Sequence, residues 1–212
     1  MPEFRFIPDP RGYWLGSRRL PSVTEILGDL GIIETEWFTE ASRRRGTAVH
    51  EACQYLEEND LVWDSLKPIE DFLGEAIIPR VEAWQKFLDN TGWKSTRIEE
   101  KQYHPTYLYA GAKDRRGFFP GDRAESILDI KTGALSKWWR WQTGAYEEMD
   151  RAHDGIRRHR LCVELRANGT YKRHDHKDHE DSAEFIDLFE AHKIGRSEGY
   201  FKRKPDKEKS AL

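Results

Sequence analysis

Two charged residues sit where a buried strand should carry none. In the run Ile127-Leu128-Asp129-Ile130-Lys131-Thr132-Gly133, the apolar and β-branched residues argue for a strand, and Gly133 ends it. Asp129 and Lys131 are two apart, so a period of two puts both on one sheet face. A carboxylate and an ammonium are costly to bury unless they pair or hold an ion. By themselves the two read equally well as an edge-strand ion pair. Other segments supply polar residues that could converge on this strand: His50, Glu99 and Asp114, with Gln142 and Tyr146 at the margin. Grouped carboxylates repel unless a cation joins them, and hard oxygen ligands select magnesium or manganese rather than zinc. A divalent ion lowers the pKa of its water and neutralises charge growing on a phosphodiester. A lysine beside it can orient the attacking water or stabilise the charge of the transition state. The carbonyl of Ile130 offers one more oxygen ligand. These parts fit metal-assisted phosphodiester hydrolysis. Other chemistries lack theirs: Cys53 and Cys162 fall outside the cluster, and there is no serine elbow and no GxxxxGKS/T loop.

The elements that must position these residues can be read from patterning. Residues 1–20 alternate aromatic and polar groups around Pro10 and Gly12, which predicts a hairpin. Ser22-Val23-Thr24-Glu25 has capping-box spacing and opens a short helix ending near Gly31. A helix from about Thr39 to Glu58 has an apolar stripe of Ala41, Ala48, Val49, Ala52, Cys53 and Leu56, with His50 at its border. There His50 is either a hydrogen-bonded boundary residue or a ligand, and Gly46 before it leaves room for a close approach. Arg43, Arg44 and Arg45 form either a solvated face or a phosphate contact. Pro68 to Asn90 reads as one helix with Phe72, Ile77, Val81, Trp84, Phe87 and Leu88 facing inward.

From Trp93 the period changes to two. An antiparallel meander follows, with strands over 97–103 and 108–119, and its middle strand carries Asp114. A helix from Leu135 or Ser136 to Asp150 places Gln142 and Tyr146 on one face. Of its tryptophans, Trp138 and Trp141 read as core packing, although such rings can also stack on nucleic-acid bases. Asn168-Gly169 signals a type I′ hairpin. The last helix, about Ser182 to Ile194, is capped by Asp181 or Ser182. His174, His176 and His179 in HDHKDHED match no four-ligand zinc pattern, so that stretch reads as a solvated connector.

Bulk numbers bound the rest. The 212 residues allow one substantial core, read as a single domain over 1–200 with a disordered lysine-rich tail over 201–212. No stretch reaches the roughly 20 apolar residues a membrane span needs, and no signal peptide is visible. Two cysteines form neither a disulfide framework nor a four-thiolate cluster, and a cytoplasmic setting is expected. The net charge of −3 leaves any nucleic acid to be held by local basic patches.

The order Gly46-Thr47-Ala48-Val49-His50, Glu99, Gly111-Ala112-Lys113-Asp114, Asp129-Ile130-Lys131, Gln142-Thr143-Gly144-Ala145-Tyr146 resembles the PD-(D/E)XK nuclease superfamily. The branch it most resembles is the RecB-type and bacteriophage exonuclease group, and Leu20-Pro21-Ser22-Val23-Thr24 is similar to a segment that opens many phage members. The resemblance spans most of residues 13–195. It implies an α/β fold with a restriction-endonuclease-like core, a central mixed β-sheet flanked by helices. It further implies that His50, Asp114 and Asp129 hold magnesium, with manganese able to substitute, and that Lys131 acts on the attacking water. Glu99 matches an acidic position of the family, with Glu100 as a competing alignment. Gln142 and Tyr146 match a motif beside the site and the DNA. No iron–sulfur cluster is implied, and Ala112 departs from a position often held by threonine. The implied function is a DNA exonuclease serving phage or bacterial recombination, replication or repair. Its expected partners are DNA and a single-strand-annealing or other recombination protein. The alternatives are a structure- or site-specific endonuclease and a non-catalytic DNA-end-binding protein on the same fold.

Overall fold

The change to period-two patterning at Trp93 delivers the sheet that carries the candidate residues. A computed structural model of the chain describes residues 2–8, 11–33 and 39–201. Of the lysine-rich tail expected over 201–212, residues 202–212 lie outside them. Three short strands come first, β1 (Phe4–Pro8), β2 (Arg11–Leu15) and β3 (Arg18–Leu20), paired antiparallel in that order rather than as a lone hairpin. Helices α1 (Val23–Asp29) and α2 (Glu40–Glu57) follow, the first capped by Ser22 as expected and the second by Thr39. Ser22 Oγ accepts from the Glu25 N–H at 3.1 Å, and Thr39 Oγ1 accepts from the Ser42 N–H at 3.1 Å.

The single helix expected over Pro68–Asn90 is in fact two. Helix α3 (Leu66–Leu73) ends at Gly74, whose φ of +63° is a left-handed stop, and α4 (Ile78–Thr91) restarts with Pro79 in its first turn. The break turns Phe72 outward to 80% exposure, against the inward placement expected of it. Ile77, Val81, Trp84 and Phe87 are buried, as their spacing requires.

The main sheet has five strands in the order β4-β5-β6-β7-β8: β4 (Lys94–Tyr103), β5 (Ala110–Phe118), β6 (Ser126–Lys131), β7 (Arg160–Leu165) and β8 (Tyr171–His176). Neighbours are antiparallel except β6 and β7, which run parallel because α5 (Trp139–Asp154) carries the chain between them. Helix α6 (Glu180–Ser197) closes the chain. The expected mixed sheet flanked by helices is therefore the observed architecture. Leu128 and Ile130 of β6 and Leu161, Val163 and Leu165 of β7 pack on α2 and α4. On the other face, Ile127 and Tyr109 meet α1, α5 and α6 through Leu27, Met149, Phe185 and Phe189. Burial of each such side chain contributes about 1.5–3 kcal/mol, so β6 is clamped from both sides.

Three C-terminal expectations change. Only Gly169 of the Asn168-Gly169 pair has positive φ, and Gly169 N–H donates to Arg166 O at 3.1 Å. That is a type I turn closed by a glycine bulge, not the I′ turn, which needs positive φ twice. Helix α6 starts earlier than expected, with His179 at its N-cap. Asp181 is instead buried and binds Arg140 and Arg160 at 2.7 and 2.9 Å. The HDHKDHED stretch is not a solvated connector: His174 and His176 belong to β8 and bond Glu164 and Thr143.

Helices α5 and α6 touch at Gly144, where a Cβ would lie 2.9 Å from the backbone oxygen of Asp181. Backbone cannot yield as a flexible side chain can, so Gly144→Ala should destabilise the protein by about 1–3 kcal/mol. Gly133→Ala, which meets nothing within 4 Å, should leave the melting temperature unchanged. Thermal denaturation of the two variants beside the parent checks this.

Candidate active site

Four elements bring the polar residues together. Helix α2 carries His50, β4 carries Glu99, β5 carries Asp114, and the end of β6 carries Asp129, Ile130 and Lys131. His50 Nδ1 lies 3.7 Å from Glu99 Oε1 and 3.6 Å from Asp114 Oδ1. Ligand atoms of these three residues all lie within 4.8 Å of one another. Two ligands about 2.1 Å from one magnesium-sized ion sit roughly 3.0 Å apart at right angles and 4.2 Å apart when opposed. The two His50 distances, 3.7 and 3.6 Å, fall in that interval.

The tautomer of His50 decides what this geometry means. Its Nε2 is 3.1 Å from the carbonyl oxygen of Ile130. A carbonyl only accepts, so Nε2 carries the hydrogen, and in neutral imidazole Nδ1 presents a lone pair to two carboxylates. Lone pair and carboxylates need a cation between them or a proton on the ring. Glu99 Oε1 is buried and accepts no hydrogen bond, with the Arg115 guanidinium 3.9 Å away, so it retains acceptor capacity for a cation. The donor set of two or three carboxylates and one imidazole fits manganese or magnesium. Ile130, whose carbonyl was expected as a ligand, has that oxygen engaged by His50, and its N–H donates to Asp114 Oδ2 at 2.7 Å.

Burial drives the Asp114 carboxyl up to about 7, with the charge of Asp129 adding to the rise. Burial opposes charge on His50, but Asp114 and Glu99 outweigh it and its pKa is raised. For Glu99, burial pulls upward and is outweighed by His50, leaving the carboxyl below its ordinary range. Backbone geometry is forced here too. Glu99 has φ of +52°, a left-handed conformation costing about 1–3 kcal/mol for a non-glycine residue. The alternation of β5 breaks opposite it: Lys113 reaches Asp150 on α5, whereas Asp114 and Arg115 both reach α2. Glu100 turns away and pairs with Lys113 at 2.8 Å, so of the two competing glutamates only Glu99 joins the cluster.

Lys131 is held from several directions. Its ammonium pairs with Asp129, donates to Gln142 Oε1 at 2.6 Å, and lies 4.8 and 5.7 Å from the ring centres of Trp138 and Trp139. Gln142 Nε2 donates to Tyr146 Oη at 3.0 Å, which orients the amide. Burial pushes the Tyr146 phenol well above its ordinary value, so it stays protonated. Burial disfavours charge on Lys131, but Asp129 outweighs it and the ammonium is retained.

A cavity of about 830 Å³ opens onto these groups, lined also by Ser42, Arg45, Lys137, Trp138 and Trp141. Arg45 pairs with Glu75 at 2.7 Å within reach of it. Arg43 and Arg44 are not brought to the site. Both pair with Glu40 on the surface and border a groove of about 1150 Å³ between α2 and α3. Sequence reasoning missed the buried pair Arg115–Glu57 and the group Lys113, Asp150, Arg116 and Arg158 that ties β5 to α5. Alternating charge in Lys113-Asp114-Arg115-Arg116 was the available signal. Gly46 is less constrained than expected, since a Cβ there would meet Thr132 Oγ1 at an ordinary 3.7 Å. Gly111 is the constrained one: a Cβ would lie 2.7 Å from the Tyr146 ring.

No family model and no curated protein matches the chain in sequence. Among solved structures, it is similar to a candidate exonuclease from Eubacterium rectale, with a TM-score of 0.56 and 13% identity over 86% of this chain and 83% of that one. At that identity the likeness is one of fold.

Three like-charged oxygens held together make the metal-free site pH-sensitive. The raised Asp114 pKa means the folded state keeps a proton that the unfolded state releases. Stability present in acid is therefore lost as pH rises from about 4 towards 7, and divalent metal should restore it by displacing that proton. Asp114→Asn should raise the metal-free melting temperature at pH 8 by at least about 2 °C and abolish any shift on adding Mn²⁺. Scanning fluorimetry at pH 6 and 8, with and without the ion, reads both.

Proposed function

We propose that this protein is a divalent-metal-dependent DNA exonuclease of the PD-(D/E)XK superfamily, in its RecB-like bacteriophage branch. The observation that carries the reading is the convergence of His50, Glu99 and Asp114 within 4.8 Å, with the Asp129–Lys131 pair on the adjoining strand. The fold shared with a candidate exonuclease supports it. His50, Glu99 and Asp114, with Asp129 beside them, would hold the ion, which when bound would supply positive charge for the phosphate and acidify water. Lys131, kept charged and immobile by Asp129 and Gln142, orients the attacking water and balances charge building on the phosphate. Tyr146 fixes Gln142 and so the ammonium. Arg45, Lys137 and Ser42 at the cavity wall contact flanking phosphates. The intact ion pair at the end of β6 disfavours a purely DNA-end-binding role, because an idle site gains nothing from buried charge. DNA recombination, replication or repair is the setting such an activity serves, beside a strand-annealing partner.

Linear and covalently closed DNA, incubated with Mg²⁺, Mn²⁺ or chelator, provide the test. Linear molecules should shorten from their ends only with metal, and Mn²⁺ should act at lower concentration than Mg²⁺ because the site includes an imidazole. Cutting of closed circles would transfer the assignment to an endonuclease. Asp129→Ala should abolish cleavage, and Lys131→Ala should lower turnover by about 100-fold or more while metal binding persists. Ordinary rates in either variant remove that residue from the mechanism.

A further inference from the structure

We propose that Trp138 and Trp141 form a base-stacking subsite that selects an unpaired strand end, making single-stranded DNA the substrate of this site. The proposal rests on the nuclease reading above and adds the substrate class to it. Sequence patterning assigns these two rings to the core, and both do pack against the apolar cluster of α1, α5 and α6, but the ring the fold buries fully is Trp139, 2% exposed. Trp138 and Trp141 are half-buried and line the same cavity as Asp114, Asp129 and Lys131. They are three residues apart at the start of α5, so they share one helical side.

Both rings are fixed in place before any ligand arrives. Trp138 holds the Lys131 ammonium 4.8 Å from its centre. Trp141 holds the Arg140 guanidinium at 4.4 Å, and its indole N–H donates to Glu184 at 2.6 Å. Rigid aromatic surface beside a polar centre binds planar groups at low entropic cost. Ile32 and Leu135 extend the apolar wall, and Arg45 and Lys137 add positive charge. Apolar rings facing cations match a strand whose bases lie on one side and phosphates on the other. In a duplex the base faces are stacked on one another and only their edges are offered in the grooves, so rings of this kind meet base faces only on an unpaired strand. The cavity, about 830 Å³, has the size of sites that enclose a small ligand, about 300–1,000 Å³, and suits a nucleotide or two rather than a duplex.

Fluorescence anisotropy in chelator, where nothing is cut, tests this with three probes of equal length: a single strand, the same strand made abasic, and a blunt duplex. The parent protein should bind the base-bearing strand roughly ten-fold or more tighter than the abasic one. Trp141→Ala should erase that difference without weakening the abasic or duplex complexes, and Trp141→Phe should keep most of it. Equal binding of the base-bearing and abasic strands by the parent protein, or an equal loss on all three probes in both variants, overturns the subsite. Cleavage with Mn²⁺ separates the two readings. Degradation without base-dependent binding leaves the nuclease and removes the subsite, whereas base-dependent binding without degradation does the reverse. Where cleavage occurs, Trp141→Ala should raise KM for single strands and spare kcat; a uniform fall in kcat with KM unchanged counts against stacking.

Discussion

The structure turns on an electrostatic conflict held at close range. Asp114 and Asp129 are buried side by side, with Glu99 near, and the charges of Asp129 and Glu99 both raise the cost of ionising Asp114. Three features keep them there. The Ile130 N–H binds Asp114, the Ile130 carbonyl fixes the His50 ring, and the Lys131 ammonium answers Asp129. One residue of β6, through the two peptide groups that flank its Cα, therefore organises an acid and a base that lie far apart in sequence. What these contacts leave unsatisfied, Glu99 Oε1 and the His50 Nδ1 lone pair, points into a common space.

The surrounding scaffold is built to resist the relaxation that such a conflict invites. Strand β6 is buried on both faces, so Asp129 cannot swing outward without dragging core residues with it. Strand β5 is pinned by Arg115 to Glu57 on one side of the sheet and by Lys113 and Arg116 to Asp150 on the other. Buried ion pairs of this kind add little net stability, but breaking one strands a charge, so they enforce a single arrangement. The left-handed Glu99 is the local expense: the backbone is bent so that this carboxylate faces His50 while Glu100 serves the pairs behind it.

Lys131 shows how the same economy of contacts reaches the cavity. Gln142 and Tyr146 form a chain behind it, and Trp138 and Trp139 cover it. Gly111 lets the Tyr146 ring lie against β5, so a missing side chain on one strand positions an ammonium on another. Trp138, which covers Lys131 and lines the same cavity, is also one of the two rings proposed to receive a base.

The sequence by itself determined the pieces whose signals are local. The strand Ser126–Lys131, the cap at Ser22, the paired placement of Asp129 with Lys131, and the i,i+4 pairing of Gln142 with Tyr146 follow from backbone periodicity and neighbouring atoms. The order of motifs also picked out His50, Glu99 and Asp114, which the fold brings together. Tertiary structure decided what depends on partners distant in the chain. It split the helix at Gly74 and exposed Phe72, turned Arg43 and Arg44 away, chose Glu99 over Glu100, and buried Trp139 more deeply than the core-packed Trp138. Period two or 3.6 says which side of an element a residue occupies. It does not say what stands opposite, and there the burial and pairing energies of whole elements outweigh local preference.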